Sequence, residues 1–510
     1  MTLGVFLVAL GFTILLAGSL QLCLLVDKRR RFWKDRNFPC TGRSRILVGD
    51  YGEANRTKHM QEINQELYRE FKRRGLPLGG TILFIIQSVI VVDLELVKSI
   101  LVKDFSNFHD RGIYNNPEVD PISGHLFALE GSAWRQLRMK LSPTFTSGKM
   151  KMMFETILGV ADDLVSFLKE KSAGRGSVEL EMKNVLAGYT ADVIGSCAFG
   201  VECNSLRSER CKYRETANVV LNQTAGQILW TMLLMLFKPV ASALKLKMFS
   251  KNIEAFYTDL VCGTIQHREQ NKVQRNDFMN LLIQLKNSAN PEERITINEI
   301  VAQAFVFFFA GFETSSTTMV NCLFELARNQ EIQEKLRSEI LKTCGTSKIT
   351  YEMATSIEYL NMVVDETLRK YPAADSLLRK CNKTYFVPDT ELKLPEGTFI
   401  IIPVYAIHHD PQYYPNPERF DPDRFSAANR ASRHPFAYLP FGEGPRNCIG
   451  MRFGLMQTRV GLINILRNFR IRPSPSTPDQ LKVNPASGLP VPLGGVNLII
   501  ERIGEQPVDN

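Results

Sequence analysis

The residues best suited to carry out chemistry lie in a glycine-rich loop at 441–450, which has the sequence FGEGPRNCIG. An amphipathic helix is predicted directly after the loop, from about Met451 to Asn468. The free peptide N–H groups of the loop and the positive end of this helix would favour the thiolate form of Cys448. A lone cysteine is usually an inert core residue, but in this setting its thiolate is suited to bind a metal, as in a thiolate-ligated haem.

A dinucleotide-binding loop is an alternative interpretation of Gly442 and Gly444. It is disfavoured because Asn447 stands where a third glycine is required, and because no strand-rich βαβ unit precedes the loop. We therefore expect no nicotinamide or flavin site in this chain. Electrons for redox chemistry would then have to come from another protein.

A second pattern is the pair Glu366 and Arg369, three residues apart on a predicted helix. The helix must end near Tyr371 because Pro372 follows. By itself, such a pair is usually a solvated surface ion pair worth a few tenths of a kcal/mol.

A third pattern lies in a long helix predicted to open with a capping box at 296–299 and to continue to about Asn329. The Thr314 hydroxyl is expected to bond the carbonyl of Ala310, and with Gly311 in the same turn the helix is expected to bend or open. The neighbouring phenylalanines form an ordinary packing stripe.

A fourth pattern is Trp134 and Arg138, which share one face of a helix, where a cation–π contact would be unremarkable. Taken with the other three, it resembles the cytochrome P-450 family. Residues 441–450 match the haem-binding pattern of that family, FxxGxRxCxG, at every fixed position. The short sequences LSPTFT at 141–146 and HHDP at 408–411 are similar to those of the insect microsomal branch associated with xenobiotic metabolism.

The resemblance implies haem b as the cofactor, with Cys448 as its axial ligand and Phe441 in the binding loop. It implies that four residues bind the haem propionates, namely Trp134, Arg138, Arg379 and Arg446. It further implies a buried structural network that joins Glu366, Arg369 and Arg419. Thr314 and Glu313 take the catalytic roles of organising water and delivering protons for oxygen activation. The implied substrate pocket contains Phe127, Phe307, Ala310, Ala374 and Leu489, beside Thr314.

Asp375 departs from the family pattern, because the segment that contains it usually contributes apolar residues to the pocket. The carboxylate either contacts a cationic substrate or turns toward solvent. We favour the solvent-facing orientation because burying an unpaired carboxylate is costly.

The implied activity is that of a membrane-bound monooxygenase, which inserts one atom of dioxygen into a lipophilic xenobiotic, hormone or lipid. Its electrons would come from NADPH through a separate reductase, with cytochrome b5 as a second candidate donor. The residues expected to dock the reductase are Arg135, Lys140 and Arg452. A haem-thiolate isomerase or dehydratase and a non-catalytic, membrane-tethered haem or lipophile carrier are the alternatives. Both are disfavoured by the retention of Glu313 and Thr314.

Composition agrees with a large globular protein. Of the 510 residues, 44% are hydrophobic and 23% are charged, which excludes disordered and fibrous classes. The basic excess of nine charges (62 − 53) is spread along the chain, so we expect no nucleic-acid partner. Ten cysteines are too few for a disulfide scaffold, which favours a reduced, cytosolic compartment.

The N-terminus is predicted to be a membrane anchor. Residues 3–26 contain no charge, and as a helix they would span about 36 Å, enough to cross a bilayer core. A cleaved signal peptide would have a basic start and a shorter apolar core. The basic residues that follow, between Lys28 and Arg36, place the rest of the chain in the cytosol. We expect an anchor at 1–27 and a catalytic domain at 28–510, on the endoplasmic reticulum membrane.

The remaining elements predict a mainly α fold with a minor β component. Residues 81–92 predict a strand pair, 398–404 a buried strand, and most of the chain between 92 and 329 helices. The apolar cluster at 228–237 predicts an interfacial or core helix. The proline-dense stretch at 411–440 is expected to be irregular.

Overall fold

The computed structural model describes residues 12–13, 16–18, 20–21, 24, 26–45, 48–208, 212–221 and 224–503. In chain order its α-helices are α1 (Met60–Arg73), α2 (Leu94–Lys98), α3 (Gly131–Leu141), α4 (Ser147–Lys171), α5 (Met182–Ile194), α6 (Lys212–Leu221), α7 (Ala225–Leu236), α8 (Lys238–Ala243), α9 (Lys251–Gln270), α10 (Phe278–Lys286), α11 (Ile297–Arg328), α12 (Gln330–Cys344), α13 (Tyr351–Ser356), α14 (Glu358–Lys370), α15 (Val404–His408), α16 (Ala427–Ser432) and α17 (Met451–Asn468).

The strands form three small sheets at the edges of the helical body. They are β1 (Leu78–Leu83), β2 (Ile86–Val91), β3 (Ser177–Glu181), β4 (Leu377–Lys380), β5 (Tyr385–Phe386), β6 (Lys393–Leu394), β7 (Phe399–Ile402), β8 (Phe469–Pro473) and β9 (Asn497–Arg502). The largest sheet has the order β1-β2-β7-β4, in which only β2 and β7 run parallel. The others are β3-β9-β8 and β5-β6.

Helix α11 is the central element of the fold. It begins at a capping box in which the Thr296 hydroxyl and the Glu299 carboxylate each accept a backbone N–H of the other residue. It packs against α5, α9, α14 and α17. Among the described residues it is the one helix long and apolar enough to cross a membrane, but 72% of its apolar window is buried inside the protein. It is therefore a core helix.

Several sequence predictions are confirmed at the level of elements. The fold is mainly α with a minor β component, the strand pair is β1–β2, and the predicted bounds of the helix after the glycine-rich loop match α17. The prediction for 411–440 is partly wrong, since α16 lies in it, and the strands β3, β4, β5, β6, β8 and β9 were not predicted. The apolar cluster at 228–237 falls in α7, where Leu229, Trp230 and Leu233 are exposed, so these side chains are not core.

The predicted anchor lies largely outside the described residues. The segment that follows it is packed against the largest sheet. Trp33 is buried, its indole N–H donates to the carbonyl of Thr81 (2.8 Å), and its ring occupies the space that a side chain at Gly80 would need. Burial of Trp33 thus ties the segment after residue 27 to β1.

Candidate active site

The loop that carries Cys448 is shaped by two glycines in left-handed backbone conformations. Gly442 has φ of 69° and Gly444 has φ of 75°. A Cβ on Gly444 would lie 2.0 Å from the carbonyl oxygen of Leu101, so only glycine fits there. The Cys448 N–H donates to the carbonyl of Phe441 (2.9 Å), which closes the loop just before α17 begins.

The Cys448 thiol has an accessible surface, although protein encloses it on most sides. This desolvation raises its pKa, whereas the Gly450 N–H and the charges of Arg111 and Arg138 lower it. The Gly450 N–H lowers the pKa, the direction expected of the loop N–H groups, but the effect of burial is larger. A coordinated metal ion would deprotonate the thiol outright.

Four arginines form a cluster beside the cysteine loop, and three of them are sequence-predicted site residues. Burial lowers the pKa of Arg379 and of Arg446 to about 10, and each has a buried Nε without a partner among the described residues. Arg111 lies close enough to Arg446, Arg379 and Arg138 for their charges to lower its pKa further, after the effect of burial. Asp110, 3.6 Å from Arg446, offsets part of the positive charge of the cluster. Buried guanidinium groups with unused Nε donors fit the propionates of a haem.

The remaining contacts of this cluster fix its orientation. The Arg446 guanidinium lies 4.7 Å from the ring of Trp134. Arg138 donates to the backbone carbonyl of Asn447 (2.9 Å) and to its side-chain oxygen (2.8 Å), so α3 is joined directly to the cysteine loop. Arg111 was missed by the sequence analysis because no motif or spacing marks it.

One face of α11 stays accessible in an otherwise buried stretch. Between residues 300 and 327 the residues that are not buried are Phe307, Phe309, Ala310, Gly311 and Thr314. The Thr314 hydroxyl donates to the carbonyl of Ala310 (2.6 Å), as predicted. The helix stays continuous from Ile297 to Arg328, so the predicted opening is not present. The Gln457 side chain donates to the carbonyl of Gly311 (3.0 Å), which ties this face to α17.

The structure does not bring the side chains of Glu313 and Thr314 together. Glu313 is buried and forms an ion pair with Lys183 of α5, with Nζ and Oε1 2.5 Å apart. Lys183 also donates to the hydroxyls of Ser316 (3.0 Å) and Thr317 (2.9 Å). Glu313 therefore faces α5, whereas Thr314 lies on the accessible face. Lys183 carried no sequence signal, because its pairing is formed only by packing.

The predicted network around Glu366 forms with a different third member. Arg369 and Glu366 are fully buried and share two hydrogen bonds, of 2.7 and 2.9 Å. The prediction of Arg419 is wrong, because that side chain is exposed. Arg424 takes its place, with Nε 3.5 Å from the Glu366 carboxylate. The dipeptide Arg-Phe occurs at both 419–420 and 424–425, which is the signal that could have identified Arg424.

The predicted pocket residues are only partly brought together. Phe127 is half-exposed and carries the Arg111 guanidinium over its ring. The ring of Phe307 instead packs against Phe145 and Phe278, with ring centroids 5.2 and 4.5 Å away. The prediction that Phe307 lines the pocket is therefore wrong. Phe309, which stacks on Phe305, is the accessible aromatic that was missed. Ala374 and Leu489 are partly buried on separate loops.

Asp375 does not turn toward open solvent, contrary to the favoured expectation. Burial raises the pKa of its carboxyl, and nearby His59 acts in the opposite direction. Its neighbour Ser376 accepts a hydrogen bond from Asn64 of α1 (3.0 Å). The loop between α14 and β4 is thus packed under α1, which encloses the carboxyl.

Comparison with known proteins agrees with this geometry. The family model for cytochrome P450 matches residues 42–497. Cytochrome P450 6a2 of Drosophila melanogaster is 42% identical over 501 residues, covering 96% of this chain and 99% of that protein. Cytochrome P450 6A1 of Musca domestica is 41% identical over 483 residues, covering 92% and 94%. The chain therefore belongs to the cytochrome P450 family, and is a monooxygenase that binds haem b through a cysteine thiolate.

Proposed function

We propose that this protein is a membrane-bound monooxygenase of lipophilic substrates, either xenobiotics or endogenous hormones and lipids. It would receive electrons from NADPH through a separate reductase. The observation that carries the proposal is the surroundings of Cys448, an accessible thiol beside buried arginines with unused donors. A redox partner, dioxygen and a small-molecule substrate follow from family membership.

The proposed reaction consumes one dioxygen, two electrons and two protons, and yields one oxygenated substrate and one water. When bound, haem supplies the oxygen chemistry, and a thiolate ligand favours cleavage of the O–O bond. Cys448 would be that ligand. Arg111, Arg379 and Arg446 would hold the propionates, with the ring of Trp134 beneath Arg446.

The accessible face of α11 would border the substrate. Ala310 and Phe309 offer apolar surface, which suits a lipophilic ligand. The Thr314 hydroxyl would hold a water molecule in place for proton delivery. Glu313 would act from the other side of the helix, where it forms a buried ion pair with Lys183.

The proposal of a membrane anchor at 1–27, with a catalytic domain at 28–510, is supported by side chains of the described part of that segment. Phe12, Leu16, Leu20 and Leu24 follow one another at four-residue spacing, and 60–66% of the surface of each is exposed. Exposed apolar side chains suit a lipid environment. With the basic run after residue 27, this supports the cytosolic face of the endoplasmic reticulum membrane.

The test is the carbon monoxide difference spectrum of the reduced, membrane-expressed protein. We expect the strongly red-shifted Soret band of thiolate-ligated haem in the wild type and its loss in Cys448→Ala. Product formation that requires both NADPH and added reductase would then separate a monooxygenase from an isomerase or a carrier. Haem bound to the wild type without the red-shifted band would contradict the proposal.

A further inference from the structure

A cleft that shares no residue with the candidate active site lies between α1 and the chain around the end of α15. Its volume is about 270 Å³. At its base the buried Asp410 carboxylate accepts a hydrogen bond from the Tyr68 hydroxyl (2.6 Å) and pairs with the ammonium group of Lys72. The full lining is Tyr68, Arg69, Lys72, Arg73, Ala406, His409, Asp410 and Pro411. Cations outnumber carboxylates in this lining, so we call the space the basic cleft.

Two cations of the basic cleft have no partner among the described residues. Arg69 and Arg73 lie four residues apart on α1, which places them on one face of the helix, and both are exposed. Neither side chain forms a hydrogen bond or an ion pair with any residue that the structure describes. Because two neighbouring guanidinium groups repel each other, an anion bound between them is favoured.

The carboxylates around these arginines are already engaged. On α1, Glu66 forms an ion pair with Lys58 (2.7 Å), and Glu70 forms one with Arg74 (3.8 Å). Asp410 is enclosed at the base of the basic cleft, where only 4% of its side chain is exposed. Of the described residues that line the cleft, none is therefore a carboxylate free to bind a cationic group of a ligand. The cleft suits an anion that carries no positive charge of its own.

The basic cleft lies beside the segment that follows the proposed membrane anchor at 1–27. At the start of this segment, the Arg29 guanidinium donates to the carbonyl of Ile85, in the turn between β1 and β2 (3.4 Å). Further along it, the carbonyl of Cys40 accepts a hydrogen bond from Arg74, the residue directly after α1 (2.9 Å). Arg73, on the rim of the cleft, is next to this contact in the chain. The anchor therefore keeps the cleft close to the membrane surface.

We infer that the basic cleft binds the phosphate group of an acidic membrane phospholipid, between the guanidinium groups of Arg69 and Arg73. Guanidinium groups donate parallel hydrogen bonds to phosphate oxygens, and basic side chains at a membrane surface attract acidic lipids. This inference rests on the proposed function, because it requires the membrane anchor. The anchor holds the chain on the membrane, whereas a lipid in the cleft fixes the tilt of the catalytic domain above it.

The experiment uses the full-length, haem-loaded protein in nanodiscs of phosphatidylcholine, with and without phosphatidylglycerol, whose headgroup has no cationic group. The thermal midpoint is followed by Soret absorption, since a lipid that binds only the folded protein raises it. We expect phosphatidylglycerol to raise the midpoint of the wild type, and the double variant Arg69→Gln/Arg73→Gln to lose most of this rise. Arg69→Lys/Arg73→Lys keeps the charge without the paired donors and should give an intermediate rise.

The matched control, Lys251→Gln/Lys272→Gln, removes the same charge from exposed positions at the two ends of α9 and should keep the full rise. Equal losses in both double variants would overturn the inference, as would a wild type that does not respond to phosphatidylglycerol. Inorganic phosphate, added to phosphatidylcholine nanodiscs, should have no effect, and an equal rise with it would show that the cleft binds a free anion instead of a lipid.

If the glutamine variant holds no haem, Arg73→Gln alone provides the same comparison. Failure of the proposed function is distinguishable from failure of this inference. It would appear in the wild type as absence from the membrane fraction or as loss of the red-shifted carbon monoxide band. A membrane-bound wild type with a normal band and no response to phosphatidylglycerol refutes only the role of the basic cleft.

Discussion

Thr314 and Glu313 are neighbours in sequence, but successive helix positions point about 100° apart. The threonine therefore meets the accessible face of α11, while the glutamate is held by Lys183 on the side of α5. This separation divides the proposed proton chemistry between two environments. The hydroxyl acts next to the substrate, and the carboxylate lies in a buried ion pair that Lys183 extends toward the surface, since 18% of the lysine side chain is exposed.

Replacing Thr314 by valine keeps the shape of the side chain but removes its hydroxyl. We expect the fraction of consumed NADPH that yields product to fall by about tenfold or more, because positioned proton delivery commonly contributes factors of this size. Haem binding should be unchanged, since the helix backbone bonds remain. The measurement is product formed per NADPH oxidised with a fixed amount of reductase.

Thr318→Val is the matched control for this change. The Thr318 hydroxyl also donates to a carbonyl four residues back, that of Thr314 (2.8 Å), but Thr318 is buried away from the accessible face. Its loss should leave the yield of product per NADPH nearly unchanged. Equal losses in both variants would show that the hydroxyl at 314 acts only through helix structure.

At the scale of elements, the buried pair Glu366–Arg369 connects α14 with the segment that precedes the cysteine loop. The Glu366 carboxylate accepts the Asp421 N–H (2.9 Å) and faces Arg424, while Arg369 donates to the carbonyl of His408 (3.0 Å). Three stretches of chain are thus fixed by one buried ion pair.

Arg424→Ala removes one cation from this network. Burial already raises the pKa of Glu366, so its carboxylate depends on nearby positive charge. Without Arg424, less positive charge stabilises the carboxylate. We expect the free energy of unfolding to fall by about 2 kcal/mol and haem to be lost more readily. Urea unfolding and haem content measure both effects.

Arg419→Ala is the control and should change stability by less than about 0.5 kcal/mol, since Arg419 is exposed. A larger loss of stability in Arg419→Ala than in Arg424→Ala would contradict this assignment.

His408 provides a second connection between α14 and this segment. Its Nε2 accepts the Leu439 N–H (2.8 Å), and the other nitrogen therefore donates to the carbonyl of Arg369 (3.2 Å). Burial lowers the pKa of His408 well below its usual range. The ring is therefore neutral in the folded protein near pH 7.

This neutrality predicts a loss of stability in acid. Below about pH 6.5 the imidazole of the unfolded chain takes up a proton that the folded ring cannot accept, which favours unfolding by up to about 1.4 kcal/mol per pH unit. The contribution is fully present above that pH and is lost as the pH falls. We expect His408→Gln to flatten the fall of the thermal midpoint between pH 6.5 and 5, measured by circular dichroism. The exposed His267, changed to glutamine, should leave the slope as in the wild type, and an unchanged slope in His408→Gln would refute the assignment.

The elements that were predicted correctly have local causes. The capping box at Thr296 and the apolar periodicity define α11, and the two glycines define the cysteine loop. Arg111 and Lys183 could not be found in this way, because each joins the site only through a partner more than 50 residues away. For Arg424 the repeated Arg-Phe dipeptide gave a local signal, but only packing against Glu366 distinguishes it from Arg419. The misplacement of Phe307 has the same origin, since its ring direction depends on packing against Phe278.

At the scale of the whole molecule, two chemically different surfaces are exposed. Apolar side chains are exposed on α7, on α8 and between them, among them Trp230, Phe237 and Val240. On the cysteine side, α3 and the start of α17 flank the loop and carry the exposed cations Arg135 and Arg452, with the partly exposed Lys140 nearby. An apolar surface suits lipids and lipophilic substrates, whereas a basic surface suits an acidic electron donor.

The basic surface formed by Arg135, Lys140 and Arg452 predicts the behaviour of the electron-transfer complex. Arg138 joins α3 to Asn447, next to Cys448, so a donor bound here would lie a short path from the thiolate. We expect the triple alanine variant to need about tenfold more reductase for half-maximal turnover, because three charge contacts each contribute several tenths of a kcal/mol. The same variant should respond less to added salt. The matched control removes three exposed cations elsewhere, Arg56, Lys251 and Lys272, and should behave as the wild type. If both triple variants lose affinity equally, net charge rather than this surface governs docking, and the reductase must bind elsewhere.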